Sequence, residues 1–218
     1  MFSEVNWDLI WEATGQTIYM VGISTLFTAL IGIPLGILLV ITDRGRIWPQ
    51  PWLQRIVGTV VNLFRAVPFI VLVLFLFPVS EFLVGSTLGA TAATVPLIAG
   101  AAPFYARMVE TAIREVDKGV VEAAQSMGTT RFQVVTKVLL PESTPALVSG
   151  LTVTCVTLVS FSAMAGVVGG GGLGDAAYRY GFQSFNQGML YVCGILLVIM
   201  VQIVQWFGDW IARRLDKR

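Results

Sequence analysis

The stretch TGQTIYMVGISTLFTALIGIPLGILLVIT, Thr14 to Thr42, contains no Asp, Glu, Lys or Arg. A bilayer's hydrocarbon core is about 30 Å thick and takes roughly 20 apolar residues per helix, so this run is long enough to cross it. It is also too long for the apolar segment of a cleaved signal peptide. The residues before it, MFSEVNWDLIWEA, carry acids and no Lys or Arg, so the run is expected to stay attached as a membrane anchor. The composition agrees: 56% of the 218 residues are hydrophobic and only 12% charged, against about a quarter charged in ordinary soluble domains.

Further runs of the same kind follow, and they predict an all-α polytopic membrane protein, a single domain over residues 1–218. Its five spans are placed at about 14–42, 60–84, 90–106, 145–168 and 189–210. The second is blurred at its start by Arg65 and Pro68 and holds Glu81 near its end. Thirteen of the 14 cations fall on one side of this arrangement, among them Lys217 and Arg218 at the C-terminus, and only Arg179 falls on the other. The positive-inside bias then predicts an N-out, C-in topology. Trp7, Trp11, Trp48, Trp52, Trp206 and Trp210 sit at run edges, where interfacial anchors belong.

Several function classes lose support. There is no histidine, no GxSxG, no paired carboxylates within a run and no GK[ST], so neither a hydrolase nor a phosphate-cradling loop is legible. Cys155 and Cys193 lie inside apolar runs without metal-ligand or disulfide spacing. No catalytic residue, metal or bound cofactor is expected, and nothing points to nucleic acid. An ion-driven carrier needs an ionisable group near the bilayer midplane. None is expected there, because Asp, Glu and Lys are missing from the centres of all five runs.

The fourth run is rich in Ser, Thr, Ala and Gly and puts Thr157, Ser160 and Met164 on one helical face. Two readings stay open. Small residues permit close helix packing with hydroxyls bonded one turn back, or this face lines a pathway with Met164 as a flexible plug. The loop after it, VVGGGGLGDAAYRYGF, contains a formal GxGxxG at Gly169, Gly171 and Gly174, but it lies at the outer end of a membrane span and not in a soluble βαβ unit, so the match is weak and a dinucleotide site is not expected. Its glycines are expected to turn the backbone toward the pathway or to meet a partner on the outer face. Asp175, Tyr178, Arg179 and Tyr180 would give that face polar handles.

One segment stays polar. Asp117 to Pro141 reads as two short helices and a turn, with Asp117 as N-cap, Gly128 as stop, Thr129 or Thr130 as the next cap, and Pro141 as terminator or first turn of the next helix. Val120, Val121, Ala124 and Met127 are expected on one side, with Glu122 and Gln125 projecting elsewhere. Such an elbow either packs on its own spans or plugs a groove on a partner.

Within it, Glu122-Ala123-Ala124, three residues, Gly128, nine residues and Val138-Leu139-Leu140-Pro141 resemble the EAA motif of ABC importer permeases, EAA-x3-G-x9-I-x-LP, with Val for Ile. FRAVPF (Phe64–Phe69), PLIAGAAPFYARMVE (Pro96–Glu110), LPESTPALVSG (Leu140–Gly150) and SAMAGVVGGGGLG (Ser162–Gly174) extend the likeness over nearly the whole chain. It is similar to the permeases of methionine ABC importers, short members of the type I importer fold in the bacterial inner membrane.

The resemblance implies a homodimer of this chain with two ATPase subunits that hold ATP and Mg, and an outer substrate-binding lipoprotein. The elbow would be the coupling helix, with Glu122 pairing a basic ATPase residue, Ala123, Ala124 and Met127 in the contact, and Gly128 in the turn. Spans three and four, with Met164 as gate, would line a methionine pathway between the copies. A permease for another solute, and an ion-coupled secondary carrier, are the rival expectations.

Overall fold

A computed structural model of the chain describes residues 5–216. Lys217, Arg218 and residues 1–4 of the opening segment lie outside the described residues. The described chain is helical throughout: α1 (Trp7–Ile41), α2 (Pro51–Ala66), α3 (Phe69–Val84), α4 (Ala90–Arg114), α5 (Lys118–Ser126), α6 (Arg131–Val134), α7 (Leu140–Ala165), α8 (Gly172–Ala176) and α9 (Gln187–Leu215). Wider turns of π type join α6 to α7 (Val135–Leu139), follow α7 (Gly166–Gly170) and follow α8 (Ala177–Gln183).

Four single helical runs are long and apolar enough to cross a membrane: α1, α4, the run Arg131–Gly170 built on α7, and α9. The crossing expected at 60–84 is not one helix. It is divided between α2 and α3, which meet at 110°. Val67 (φ −73°, ψ 127°) and Pro68 (φ −57°, ψ 134°) are extended. A proline drives the residue before it out of the α region and has no N–H to continue the ladder, so the break falls where FRAVPF places it.

Lipid offers apolar side chains no reason to leave it, so helices in a membrane associate by close packing and internal hydrogen bonds. On α1, Ser24, Thr28, Gly32 and Gly36 recur every fourth residue and are all buried. A Cβ on Gly36 would lie 2.5 Å from Val109 Cβ and 2.6 Å from the Ala106 carbonyl, so α1 and α4 approach at a distance only glycine allows. Tyr105 Oη then donates to the Leu147 carbonyl (3.1 Å), and Thr25 Oγ1 to Cys155 Sγ (3.4 Å), tying α4 and α1 to α7. Phe69 of α3 stacks on Phe161 of α7 with ring centroids 4.2 Å apart.

The bundle has two chemically different ends. At one, the C-terminal ends of α1 and α4 share a cleft with α5; Asp43 reaches Arg114, and Asp216, just after α9, borders the same small hollow as Glu115 and Glu142. At the other, Val5 and Ile10 pack with Met189, and the backbone N–H of Gly89 donates to the Gly169 carbonyl (2.9 Å). These are called below the elbow end and the glycine end.

Candidate coupling elbow, charge clamp and central cleft

At the elbow end, Asp117 caps α5 by accepting the Gly119 N–H (2.6 Å). Gly128 stops it at φ +79°, a left-handed conformation that side chains with a Cβ adopt only under strain. Thr130 caps α6 in a reciprocal box with Gln133 (Gln133 N–H to Thr130 Oγ1 3.3 Å; Thr130 N–H to Gln133 Oε1 2.9 Å). Pro141 stands at the start of α7, directly after the Val135–Leu139 turn. Its ring would meet the carbonyl four residues back in a regular helix, and a π turn at that place relieves the clash.

Only Ala124 of α5 is buried (5% exposed), packed toward the Val135–Leu139 turn, with its carbonyl accepting the Thr129 hydroxyl (2.7 Å). The side expected to hold Val120, Val121, Ala124 and Met127 is therefore narrower than its spacing suggests. Val121 is half-buried, whereas Val120 and Met127 are 43% and 78% exposed. Met127 is the residue after the last helical one, where the chain has begun to turn away. Glu122, Ala123, Gln125 and Gly128 are exposed.

Glu122 borders a polar cleft of about 610 Å³, which it shares with Arg44, Arg46 and Lys118. Its carboxylate nonetheless forms no ion pair with them among the described residues.

Beside the elbow lies a charge clamp whose full reach spacing does not disclose. Glu110 of α4, 6% exposed, pairs with Arg107 three residues before it and with Arg114 four residues after it (2.9 Å). Arg107 reaches out to Asn62 Oδ1 (2.9 Å) and the Gly58 carbonyl (3.3 Å) of α2, and Arg114 to Asp43 (2.7 Å) in the α1–α2 connection. One buried carboxylate thus fastens three segments through two guanidinium forks. The Arg114 guanidinium holds the Asp43 carboxyl below its ordinary value of 3.8.

A second feature lies between α2, α3, α4 and α7. A cleft of about 360 Å³ is lined by Phe64, Arg65, Phe69, Gly100, Phe104, Thr157, Phe161 and Met164, with Val67 and Leu72. Two members of the expected pathway face, Thr157 and Met164, line it. Ser160 is exposed and does not. The Thr157 hydroxyl bonds back to the Val153 carbonyl (2.9 Å), and Met164 is 42% exposed.

The sequence places Arg65 beside the start of the second span, among the cations at span ends. It is the last cation of α2 before the break, and it shares this cleft with Gly100 and Thr157, which lie near the middles of the spans expected at 90–106 and 145–168.

At the glycine end, Val168 (φ −103°) and Gly169 (φ 92°) leave helical geometry, and Gly171 (φ 76°) reverses the chain into α8. Gly174 packs directly on the Ala163 backbone, so the reversed segment lies against α7. The free N–H groups that open α8 are satisfied from α1: Gly172 donates to Gln16 Oε1 (2.8 Å) and Leu173 to Thr17 Oγ1 (2.9 Å). Tyr178 stacks on Phe182 with centroids 6.0 Å apart, and Arg179 pairs with Asp175 (2.7 Å). Nothing in the sequence near the glycines names Gln16 or Thr17; the caps lie 156 residues away.

Residues 32–217 match the model of the family described as "binding-protein-dependent transport system inner membrane component". The chain belongs to that family. Across its relatives, it is 50% identical over 214 residues to the probable D-methionine transport system permease protein MetI of Vibrio cholerae, covering 98% of this chain and 95% of that one. It is 47% identical over 217 residues to the methionine import system permease protein MetP of Bacillus subtilis, covering 100% and 98%.

A solved structure of the MetNI methionine ABC transporter in an inward-facing conformation superposes with a TM-score of 0.96 at 44% identity, over 99% of this chain and 100% of that one. The fold is accordingly that of a type I ABC importer permease, and the elbow carries the family's EAA motif. The binding-protein-dependent permeases are transport components of the inner membrane, which places this chain there and among permeases, not enzymes.

Proposed function

We propose that this chain passes methionine inward across the inner membrane as one of two copies in an ABC importer. Two ATPase subunits seated on the elbow end supply the energy, and a substrate-binding lipoprotein delivers the solute at the glycine end. ATP and Mg belong to the ATPase, and this chain holds no cofactor. The excess of cations at the elbow end supports a cytoplasmic position for it, with the N-terminus outside and the C-terminus inside. The observation that carries the reading is the elbow itself: a capped helix with one buried residue, whose Glu122 carboxylate has no ion pair among the described residues although cations stand around the same cleft. A carboxylate left so is available to a basic residue of a partner, and Ala123, Met127 and Gly128 are exposed beside it.

Transport then works by alternating access. Closure of the ATPases on ATP draws the two elbows together. In each elbow α6 runs on into α7 without a break through the Val135–Leu139 turn, and α5, beyond the turn at Gly128, packs Ala124 toward that same turn, so displacement of the elbow is carried into the helix that bears Thr157, Ser160 and Met164. Met164 closes the path in one state and withdraws in the other. The cation in the central cleft does not convert the chain into a proton-driven carrier, because a guanidinium does not give up its proton in proteins.

The test is uptake of labelled methionine into proteoliposomes containing the assembled transporter, its binding protein and ATP. Glu122→Lys and Gly128→Leu are expected to abolish uptake while the permease still co-purifies with the ATPase. Normal uptake in both would overturn the coupling role, and a wild-type assembly that imports another solute but no methionine would overturn the substrate.

A further inference from the structure

We infer that Arg65 forms, inside the membrane span, a transient binding site for the carboxylate of the transported amino acid. The inference rests on the methionine-permease reading and names the group in this chain that touches the solute on its way. The break at Val67–Pro68 ends α2 where Arg65 joins Phe64, Phe104, Thr157, Phe161 and Met164 around a cleft of about 360 Å³. That volume falls within the range of about 300 to 1,000 Å³ usual for small-molecule sites.

The other cations with mid-chain neighbours are spoken for: Arg107 and Arg114 share Glu110, and Arg114 also holds Asp43. The Arg65 side chain has no ion pair and no hydrogen bond among the described residues, not even to the carbonyls that end its own helix. Arg65 is exposed on this chain and borders the cleft beside mid-span residues, where a cation without a resident partner among the described residues points to an anion that visits rather than one that stays. Its planar fork matches a carboxylate in two parallel hydrogen bonds. The walls suit the rest of the molecule: the Phe64, Phe104 and Phe161 rings and the Met164 thioether offer soft apolar contact to a sulfur-containing side chain. Aromatic faces also attract its ammonium group. Thr157 and Met164 place the site on the same face as the proposed gate, so a solute held by Arg65 lies next to the residue that has to move.

The experiment uses the assembled transporter with its ATPase and binding protein in proteoliposomes, in a background with Cys155→Ser and Cys193→Ala. Arg65→Cys is expected to lower methionine uptake at least about tenfold, the loss that goes with one charge-assisted hydrogen-bonding group, while ATP hydrolysis and co-purification persist. Treatment with 2-aminoethyl methanethiosulfonate, which restores a positive charge at that position, recovers part of the uptake. The 2-sulfonatoethyl reagent, which installs a negative charge, does not.

Uptake within about twofold of the parent, or equal responses to the two reagents, overturns the site. A second pair covers a cysteine variant that fails to assemble: Arg65→Lys keeps measurable uptake and Arg65→Gln loses it, and equal loss in both overturns the assignment. A parent transporter that imports no methionine sinks the functional reading instead, whereas normal import in the parent and in all Arg65 variants sinks only this site.

Discussion

The α1–α4 contact and the α5 elbow stand at the same end of the molecule and are built in opposite ways. Where α1 meets α4, the chain packs on itself: a Cβ on Gly36 would lie 2.5 Å from Val109 Cβ and 2.6 Å from the Ala106 carbonyl, and Glu110 is shared by two arginines, although Ser24 Oγ and Thr28 Oγ1 of α1 and Arg107 Nε of α4 are buried without a hydrogen-bond partner among the described residues. On α5 a single alanine is buried, the Glu122 carboxylate has no ion pair among the described residues, and Met127 at its C-cap stands 78% exposed. The difference separates residues that hold this chain together from residues that have nothing to do until another chain arrives. Substitution should therefore change stability in the first region and transport in the second.

The largest effect is expected from Gly36→Leu. Overpacking against Val109 and the Ala106 carbonyl, which is backbone and cannot step aside, should cost about 3 kcal/mol or more and remove most folded protein from detergent extracts. Glu110→Ala comes next: it leaves Arg107 and Arg114 without their shared carboxylate. Because both guanidinium groups keep some access to solvent, we expect about 2 kcal/mol, below the range for fully buried pairs, read as a lower unfolding midpoint.

On the elbow, Gly128→Ala should cost about 1 kcal/mol through its left-handed φ alone, since open space surrounds the position. Glu122→Lys should change stability by less than about 0.5 kcal/mol while uptake is lost. A fall in stability comparable to that of Glu110→Ala would place Glu122 among the structural residues and erase the contrast.

The smallest effect belongs to pH. The Asp43 carboxyl is depressed below 3.8 by Arg114, so its contribution is present in full above that value and is lost as pH falls through the lower folded-state value. Asp43→Asn should accordingly lower the unfolding midpoint at neutral pH, and the gap to wild type should close below about pH 4. A gap that persists in acid would assign the loss to packing instead of charge.

Signals carried within a few residues were legible in the sequence. Asp117, Gly128, Thr130 and Pro141 fix the elbow because caps, left-handed turns and proline rings act on their immediate neighbours. The apolar runs mark the crossings because span length follows from bilayer thickness. What depends on contact between distant segments was not legible. Arg65 read as a span-edge cation because the sharp turn after it, and the α4 and α7 residues it meets there, do not appear in a linear charge pattern. The Glu110 clamp has its i+4 spacing in plain view, but its reach to Asp43 and Asn62 is tertiary. Met127, the C-cap of α5, keeps its helical bond to the Ala123 carbonyl yet stands 78% exposed, because how much of that side is covered depends on the distant segments that reach it.

The two side chains of α1 that close the start of α8 have a mechanical consequence. α8 follows α7 in the chain, but its first amides are held by Gln16 and Thr17. Parting α8 from α1 would strand two amide N–H groups, at about 1 to 3 kcal/mol each if no water replaces the lost acceptors. Swinging about the reversal at Gly169 and Gly171 strands neither of these amides and puts at risk the bond from the Gly89 N–H to the Gly169 carbonyl. When the glycine end rearranges, α8 should behave as cargo of the first helix, with the glycine turn as the slack in the tether that ties it to the helix it follows.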